Sequence, residues 1–237
     1  MEPSTVTPDP AITAIEEVQA PIRKFYVAET KALRNGDVEA YISTESVDRM
    51  GDIIKAKGWE LGAYRKTGSP VLFGHEYGVT PGGGIAHIGN AVEMEIQRKG
   101  LWSVTRFHEK TQLSREAAIL AREKLMPGWS VGFSPLDKPE DRMVDGVWKG
   151  FIFNRQELLE YSLVSVPANP EAVSKAADMA RRGLIGADMI NRINAAAIFA
   201  GPSPTGDEGI RQDEQAIVEQ FRKRHEEHFI AAGFTKR

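Results

Sequence analysis

Gly84-Ile85-Ala86-His87-Ile88-Gly89, Ala91-Val92-Glu93-Met94-Glu95-Ile96 and Leu101-Trp102-Ser103-Val104-Thr105-Arg106-Phe107 follow one another, separated only by Asn90 and by Gln97-Arg98-Lys99-Gly100. Short apolar runs and alternation of this kind suit strands rather than helices. The same texture extends outward in both directions. On the N-terminal side stand Arg23 to Ala28, Val38-Glu39-Ala40-Tyr41-Ile42-Ser43 and Val71-Leu72-Phe73. On the C-terminal side stand Trp129 to Ser134, Trp148-Lys149-Gly150-Phe151-Ile152-Phe153 and Leu158 to Val166. Strands this short and dense, separated by Gly, Asn and Asp turns, predict an α+β chain whose sheet rolls into a barrel or sandwich.

Two helical patterns interrupt the strands. Thr111 or Ser114 caps a helix reaching about Met126, with Leu113, Ala117, Leu120, Ala121 and Leu125 at helical spacing and Pro127-Gly128 as the stop. A second begins at Asn169-Pro170 and ends near Arg182-Gly183, with Val173, Ala176, Ala177 and Ala180 on one side. Residues 1–21, broken by Pro3, Pro8, Pro10 and Pro21, predict a flexible arm. Residues 22–183 form the expected domain. Residues 184–237 read as a Pro/Gly-punctuated linker to about Gly209, then an amphipathic helix to about Ala232 carrying Ile217, Phe221, His225, His228 and Phe229.

The 237 residues, 41% of them hydrophobic, suffice for one ordinary core. A net charge of −3 gives no overall attraction to nucleic acid or an anionic membrane, so neither is an expected partner. No apolar run is long enough to span a bilayer, and Met1-Glu2-Pro3-Ser4 does not open an export signal. The expectation is a cytoplasmic protein. The absence of cysteine excludes disulfides, a thiol nucleophile and thiolate metal ligation.

Chemistry concentrates in three separate segments: Phe73-Gly74-His75-Glu76, Gly128-Trp129-Ser130-Val131-Gly132-Phe133, and the strand from Glu157. A histidine, a serine between glycines and a carboxylate, brought together, make a hydroxyl nucleophilic. Gly128-x-Ser130-x-Gly132 has nucleophile-elbow spacing, but here a helix precedes the serine and a strand follows, the reverse of an elbow. Small neighbours still allow close approach of substrate backbone, and the Gly132 region is a candidate source of oxyanion-binding N–H groups. His75 combines a strand end with a neighbouring glycine, which His87, His108, His225 and His228 do not. The orienting acid is Glu160 or Glu157. Simple alternation places Glu160 with Ser162, Val164 and Val166, and Glu157 on the opposite face with Leu159, Tyr161 and Leu163. A carboxylate among apolar neighbours needs a partner, which favours Glu160.

In order and wording these segments resemble the prohead (capsid maturation) proteases of tailed phages, relatives in fold of the herpesvirus assemblins. Tyr41 to Ile54 resembles the family's early strand and Asp-rich turn. Pro70 to His75 resembles its histidine strand, Gly128 to Phe133 its serine strand, and Glu157 to Pro170, with its Val166-Pro167-Ala168-Asn169-Pro170 ending, its closing strand. The resemblance implies an assemblin-like fold: a small closed or partly closed β-barrel with a few flanking helices. It also implies a serine endopeptidase with Ser130 as nucleophile, His75 as base and Glu160, or Glu157, as third member, and no cofactor or metal. The implied substrates are scaffold protein, or the scaffolding segment of the major capsid protein, cut inside an immature capsid in the bacterial host. Self-cleavage is implied too, and mobile small-residue segments such as Ala195-Ala196-Ala197 and Ala200-Gly201 suit it. Assemblins use a second histidine as third member, and none stands between His108 and His225. Assemblins are also activated by dimerisation. The helix from Leu113 to Met126 fits a dimer face and a core face equally.

Two other classes compete with this reading. One is a non-catalytic capsid-assembly or scaffolding module. The other is a metal-dependent hydrolase using His75, His87 and His108 with Asp48 or Asp52, though no His-Glu-x-x-His spacing supports it. Gly82-Gly83-Gly84 lacks the Gly-Lys-Ser/Thr ending of a phosphate loop and reads as a flexible turn.

Overall fold

The computed structural model describes residues 22–27, 30–48, 50–77, 86–126, 128–164 and 170–199. The N-terminal arm, the Gly82-Gly83-Gly84 turn, residues 165–169 and the helix expected over 209–232 lie outside the described residues.

The alternating runs become the strands of a curled sheet. In chain order these are β1 (Ile22–Val27), β2 (Lys31–Ala32), β3 (Val38–Thr44), β5 (Trp59–Glu60), β6 (Pro70–Phe73), β7 (His87–Gln97), β8 (Gly100–Phe107), β9 (Gly128–Pro135) and β12 (Gln156–Val164). Their spatial order is β1-β9-β12-β6-β7-β8-β3-β2, with β5 added alongside β12. β3, near one end, packs against β1 and β9 at the other, so the sheet curls into a half-barrel. Among the described residues the edge strands β1 and β2 do not pair, so the closed form of the barrel is not reached. A smaller sheet holds β4 (Ile53–Ile54), β10 (Glu140–Val144) and β11 (Val147–Phe153) in the order β10-β11-β4. The runs read as 84–89 and 91–96 are one strand from His87, kept continuous by a register shift between Ala91 and Glu93.

The core lies inside the curl. Trp129, Val131 and Phe133 of β9 meet Leu158, Tyr161 and Leu163 of β12, all fully buried. Trp59 and Phe153 both stack edge-on against Phe133, at 5.7 and 5.1 Å between ring centroids. The Tyr161 hydroxyl lies 2.8 Å from Thr105 Oγ1 and 3.1 Å from Ser103 Oγ, which satisfies a phenol that burial pushes up to about 12.

Four helices flank the described sheets: α1 (Gly62–Lys66), α2 (Gln112–Arg122), α3 (Pro170–Arg181) and α4 (Ala187–Phe199). Thr111 caps α2, its side chain accepting from the Ser114 N–H at 3.2 Å, while Ser114 itself donates to the Ile88 carbonyl at 2.6 Å. Ala117, Leu120 and Ala121 of α2 are fully buried, so its apolar face belongs to the core. The helix α4 falls where the sequence reads as linker, and Ala195-Ala196-Ala197 lies inside it. Ile185, Met189 and Ile193 bury themselves in the same core.

Candidate active site

Three adjacent strands carry the site. β9 and β12 run antiparallel with Ser130 opposite Ser162, and β12 and β6 run parallel with Ser162 beside Leu72 and Leu163 beside Phe73. The end of β6 therefore arrives next to Ser162. The Gly74 N–H continues the ladder to the Leu163 carbonyl at 3.0 Å, and Gly74 and His75 then both turn left-handed, at φ 63° and 59°. Glycine adopts this conformation freely, and histidine at a cost of about 1 kcal/mol. The turn swings the imidazole back over the face of β9 and β12.

There His75 Nε2 lies 2.5 Å from Ser130 Oγ, and His75 Nδ1 lies 2.6 Å from Glu160 Oε1. An ionised carboxylate only accepts, so Nδ1 carries the imidazole proton and Nε2 is left to accept from the serine hydroxyl. Ser130 is 2% exposed and Glu160 1% exposed, and the His75 side chain is 9% exposed. Ser130 sits in mid-strand with α2 upstream of it, so the geometry is not an elbow. The structure thus brings His75, Ser130 and Glu160 together.

Glu157 is placed elsewhere. Strict alternation puts it on the face opposite Glu160, but the register shifts between Leu158 and Glu160: Leu158 faces Phe133, Glu160 faces Gly132, and Leu159 is extra. The bulge corrects the alternation argument. Leu158, Tyr161 and Leu163 share the core face, whereas Glu157, Glu160 and Ser162 lie opposite Ser134, Gly132 and Ser130 on the other. Glu157 is on the same face as the site but at the far end of the strand, beside Glu60 of β5.

Gly132 stands within a strand paired on both sides, to Arg23 of β1 and Glu160 of β12. Its missing side chain supplies space. A Cβ built there would stand 2.2 Å from Glu160 Oε1 and 3.1 Å from the Tyr77 hydroxyl. Only glycine leaves room for the carboxylate beneath the imidazole.

The model of the caudovirus prohead serine protease family matches residues 26–183, two-thirds of the chain. The chain belongs to this family. Among curated proteins it is similar to the prohead protease of Escherichia phage T5, with 30% identity over 141 residues, 57% of this chain. The aligned part spans 60% of that relative's length. No solved structure matches the chain.

Several residues around the trio escape a reading of the sequence. Ser162 Oγ donates to Glu160 Oε2 at 2.7 Å and accepts from the His75 N–H at 3.1 Å. Half-exposed Tyr77 donates to Glu160 Oε1 at 3.3 Å. Partial burial and the nearby carboxylate push its phenol up to about 12, so it remains a donor. The Arg23 guanidinium lies 5.4 Å from the centroid of the Tyr77 ring and reaches the His75 carbonyl at 3.4 Å. Strand parity was one available signal, since Ser162 stands two residues after Glu160. Tyr77 and Arg23 had none, because their contacts come only from folding.

Among the described residues, the histidines and aspartates of the metal-site alternative do not gather into a group of three or more that could hold an ion. The His87 and His108 rings pair edge-on at 5.5 Å, and His108 Nε2 lies 2.7 Å from the His87 carbonyl. Asp48 and Asp52 both face Lys24, which is 3% exposed. Among the described residues, no helix is long and apolar enough to cross a membrane.

Proposed function

We propose that this chain is a serine endopeptidase of phage prohead maturation, with Ser130 as nucleophile, His75 as general base and Glu160 as the orienting acid. The observation that carries the reading is the continuous chain from Ser130 Oγ through both imidazole nitrogens to Glu160. Its substrates are scaffold protein or the scaffolding segment of the major capsid protein, and it acts inside the immature capsid in the host cytoplasm. Family membership and the phage T5 relative support this assignment.

The chemistry follows from the proton inventory. Ser130 Oγ attacks the scissile carbonyl carbon while its proton passes to His75 Nε2. Glu160 stabilises the resulting imidazolium through Nδ1–H. Collapse of the tetrahedral intermediate breaks the C–N bond, and Nε2–H protonates the leaving amine, which gives an acyl-Ser130 ester. Water then attacks the ester, losing its proton to Nε2, and Ser130 recovers its own when the carboxylic product departs. The protease domain of this proposal runs from 22 to 183, and α4 packs against it, with Ile185, Met189 and Ile193 in the same core. A fold akin to the assemblins and self-cleavage outside that span belong to the same proposal.

The test is co-expression with the candidate capsid or scaffold protein, followed by intact mass of both, for the natural sequence and for Ser130→Ala. The expected result is cleavage in the first and none in the second, with both folded. Unchanged cleavage in Ser130→Ala removes the proposal. Normal assembly without cleavage in either sample points instead to the non-catalytic assembly module.

A further inference from the structure

We propose that Ser162 is a positioning residue that holds the base and the acid of the site in register through a single hydroxyl. The inference rests on the reading of Ser130, His75 and Glu160 given above and extends it by one residue. A serine hydroxyl has one proton to donate and lone pairs to accept with. Here the proton goes to Glu160 Oε2 at 2.7 Å, and a lone pair takes the His75 main-chain N–H at 3.1 Å. Ser162 is fully buried, so water does not compete for either bond. The rotor is fixed at both ends.

Each end answers a specific need. Glu160 is 1% exposed, and its Oε1 already receives His75 Nδ1 and the Tyr77 hydroxyl, so Oε2 depends on Ser162. A buried carboxylate oxygen left without a donor turns toward another one, and here that rotation takes Oε1 away from the imidazole. His75 sits in a left-handed conformation that a non-glycine residue holds only when its surroundings impose it. Gly74 is anchored by a main-chain carbonyl, that of Leu163, and His75 by the Ser162 side chain on the same strand. Ser162 thus extends the β6–β12 ladder by one rung at the residue that must stay aimed at Ser130.

The experiment follows covalent labelling of Ser130 by a fluorophosphonate, which needs the serine, base and acid but no knowledge of the substrate. The full chain is compared as natural sequence, Ser162→Ala and Ser162→Thr, with kinact and KI measured separately and the fold checked by circular dichroism. Loss of alignment lowers kinact about tenfold to a hundredfold in Ser162→Ala and leaves KI within about threefold. Ser162→Thr, which keeps donor and acceptor, recovers most of the rate. If Ser162→Ala does not fold, Ser162→Cys, similar in size and a poorer donor, takes its place with a loss of the same sense expected. Labelling of Ser162→Ala at the natural rate overturns the inference. So does a loss shared equally by Ser162→Thr, or one carried by KI. Failure of the natural sequence itself to label removes the proposed function and this inference with it, whereas normal labelling there confines any failure to Ser162.

Discussion

Arg192 on α4 donates from Nη1 to Glu76 Oε1 at 2.8 Å, and its guanidinium lies 5.8 Å from the centroid of the Phe73 ring. A helix outside the family-matched residues 26–183 is thereby tied to the turn that carries His75. Ile185, Met189 and Ile193 anchor the same segment in the core.

A chain ending at Gly183 is therefore expected to misfold or to melt well below the natural protein. Burying three such side chains contributes about 5 kcal/mol, comparable with the whole stability of many domains. Thermal melting of chains ending at Gly183 and at Phe199 checks this, and equal midpoints with equal Ser130 labelling defeat it.

Gly132→Ala puts a methyl where Glu160 Oε1 now lies, 2.2 Å from the new carbon. The expectation is a fall of about tenfold to a hundredfold in Ser130 labelling, with about 1–3 kcal/mol of destabilisation from overpacking. A crystal structure of the variant with the Glu160 carboxylate unmoved argues against this account.

The two acids separate cleanly. Glu160→Gln presents an amide to His75 Nδ1 and permits the wrong tautomer, with an expected loss of about a thousandfold or more in kcat. Glu157→Gln should stay within about twofold, because Glu157 lies at the Ser134 end of β12. The kinetics of both variants on one peptide or protein substrate decide the matter, and a larger effect at Glu157 reverses the assignment.

Lys24 bonds Asp52 and lies 3.5 Å from Asp48, with all three side chains almost wholly buried. Lys24→Met leaves two carboxylates without their cation and should destabilise by about 3–5 kcal/mol. Denaturant unfolding measures it. A change under about 1 kcal/mol contradicts the view that Lys24 staples β1 to the Asp48–Asp52 turn.

Asp48 adds a pH dependence of known sign. Burial holds its carboxyl above the ordinary value of 3.8, despite the opposing pull of Lys24. A raised folded value contributes stability that is fully present below the ordinary value and lost as pH rises through the folded one. The stability of the natural protein relative to Asp48→Asn should thus decline as pH is raised from 3.8 toward neutrality. Unfolding midpoints of both proteins across that range test it, and a relative stability that increases with pH contradicts it.

Much of the sheet was legible locally. Val38 to Ser43, Val71 to Phe73, Leu101 to Phe107 and Trp148 to Phe153 each fall within an observed strand, because alternation records which side faces the core. The strand β10, Glu140–Val144, escaped because it is an edge of the smaller sheet and largely exposed, so nothing selects an apolar face. The two-residue strands β2, β4 and β5 are too short to show a period. The helix α4 was hidden for a different reason: its alanines and its isoleucines read equally as linker and as buried helix.

For the site, residue types and order in the sequence already nominated His75, Ser130 and Glu160, with Glu157 as the alternative acid, since few chemistries use a histidine, a glycine-flanked serine and a carboxylate together. Their meeting is decided by the pairing of β6, β12 and β9, a relation between residues as far apart as 85 positions. The bulge at Leu159 sets which face Glu157 takes, and the empty side-chain position of Gly132 makes room for the Glu160 carboxylate. Alternation and composition are properties of a single strand, so the amino-acid sequence by itself determines them. Register, bulges and the aim of a side chain depend on which strand lies alongside, and only the tertiary structure decides that.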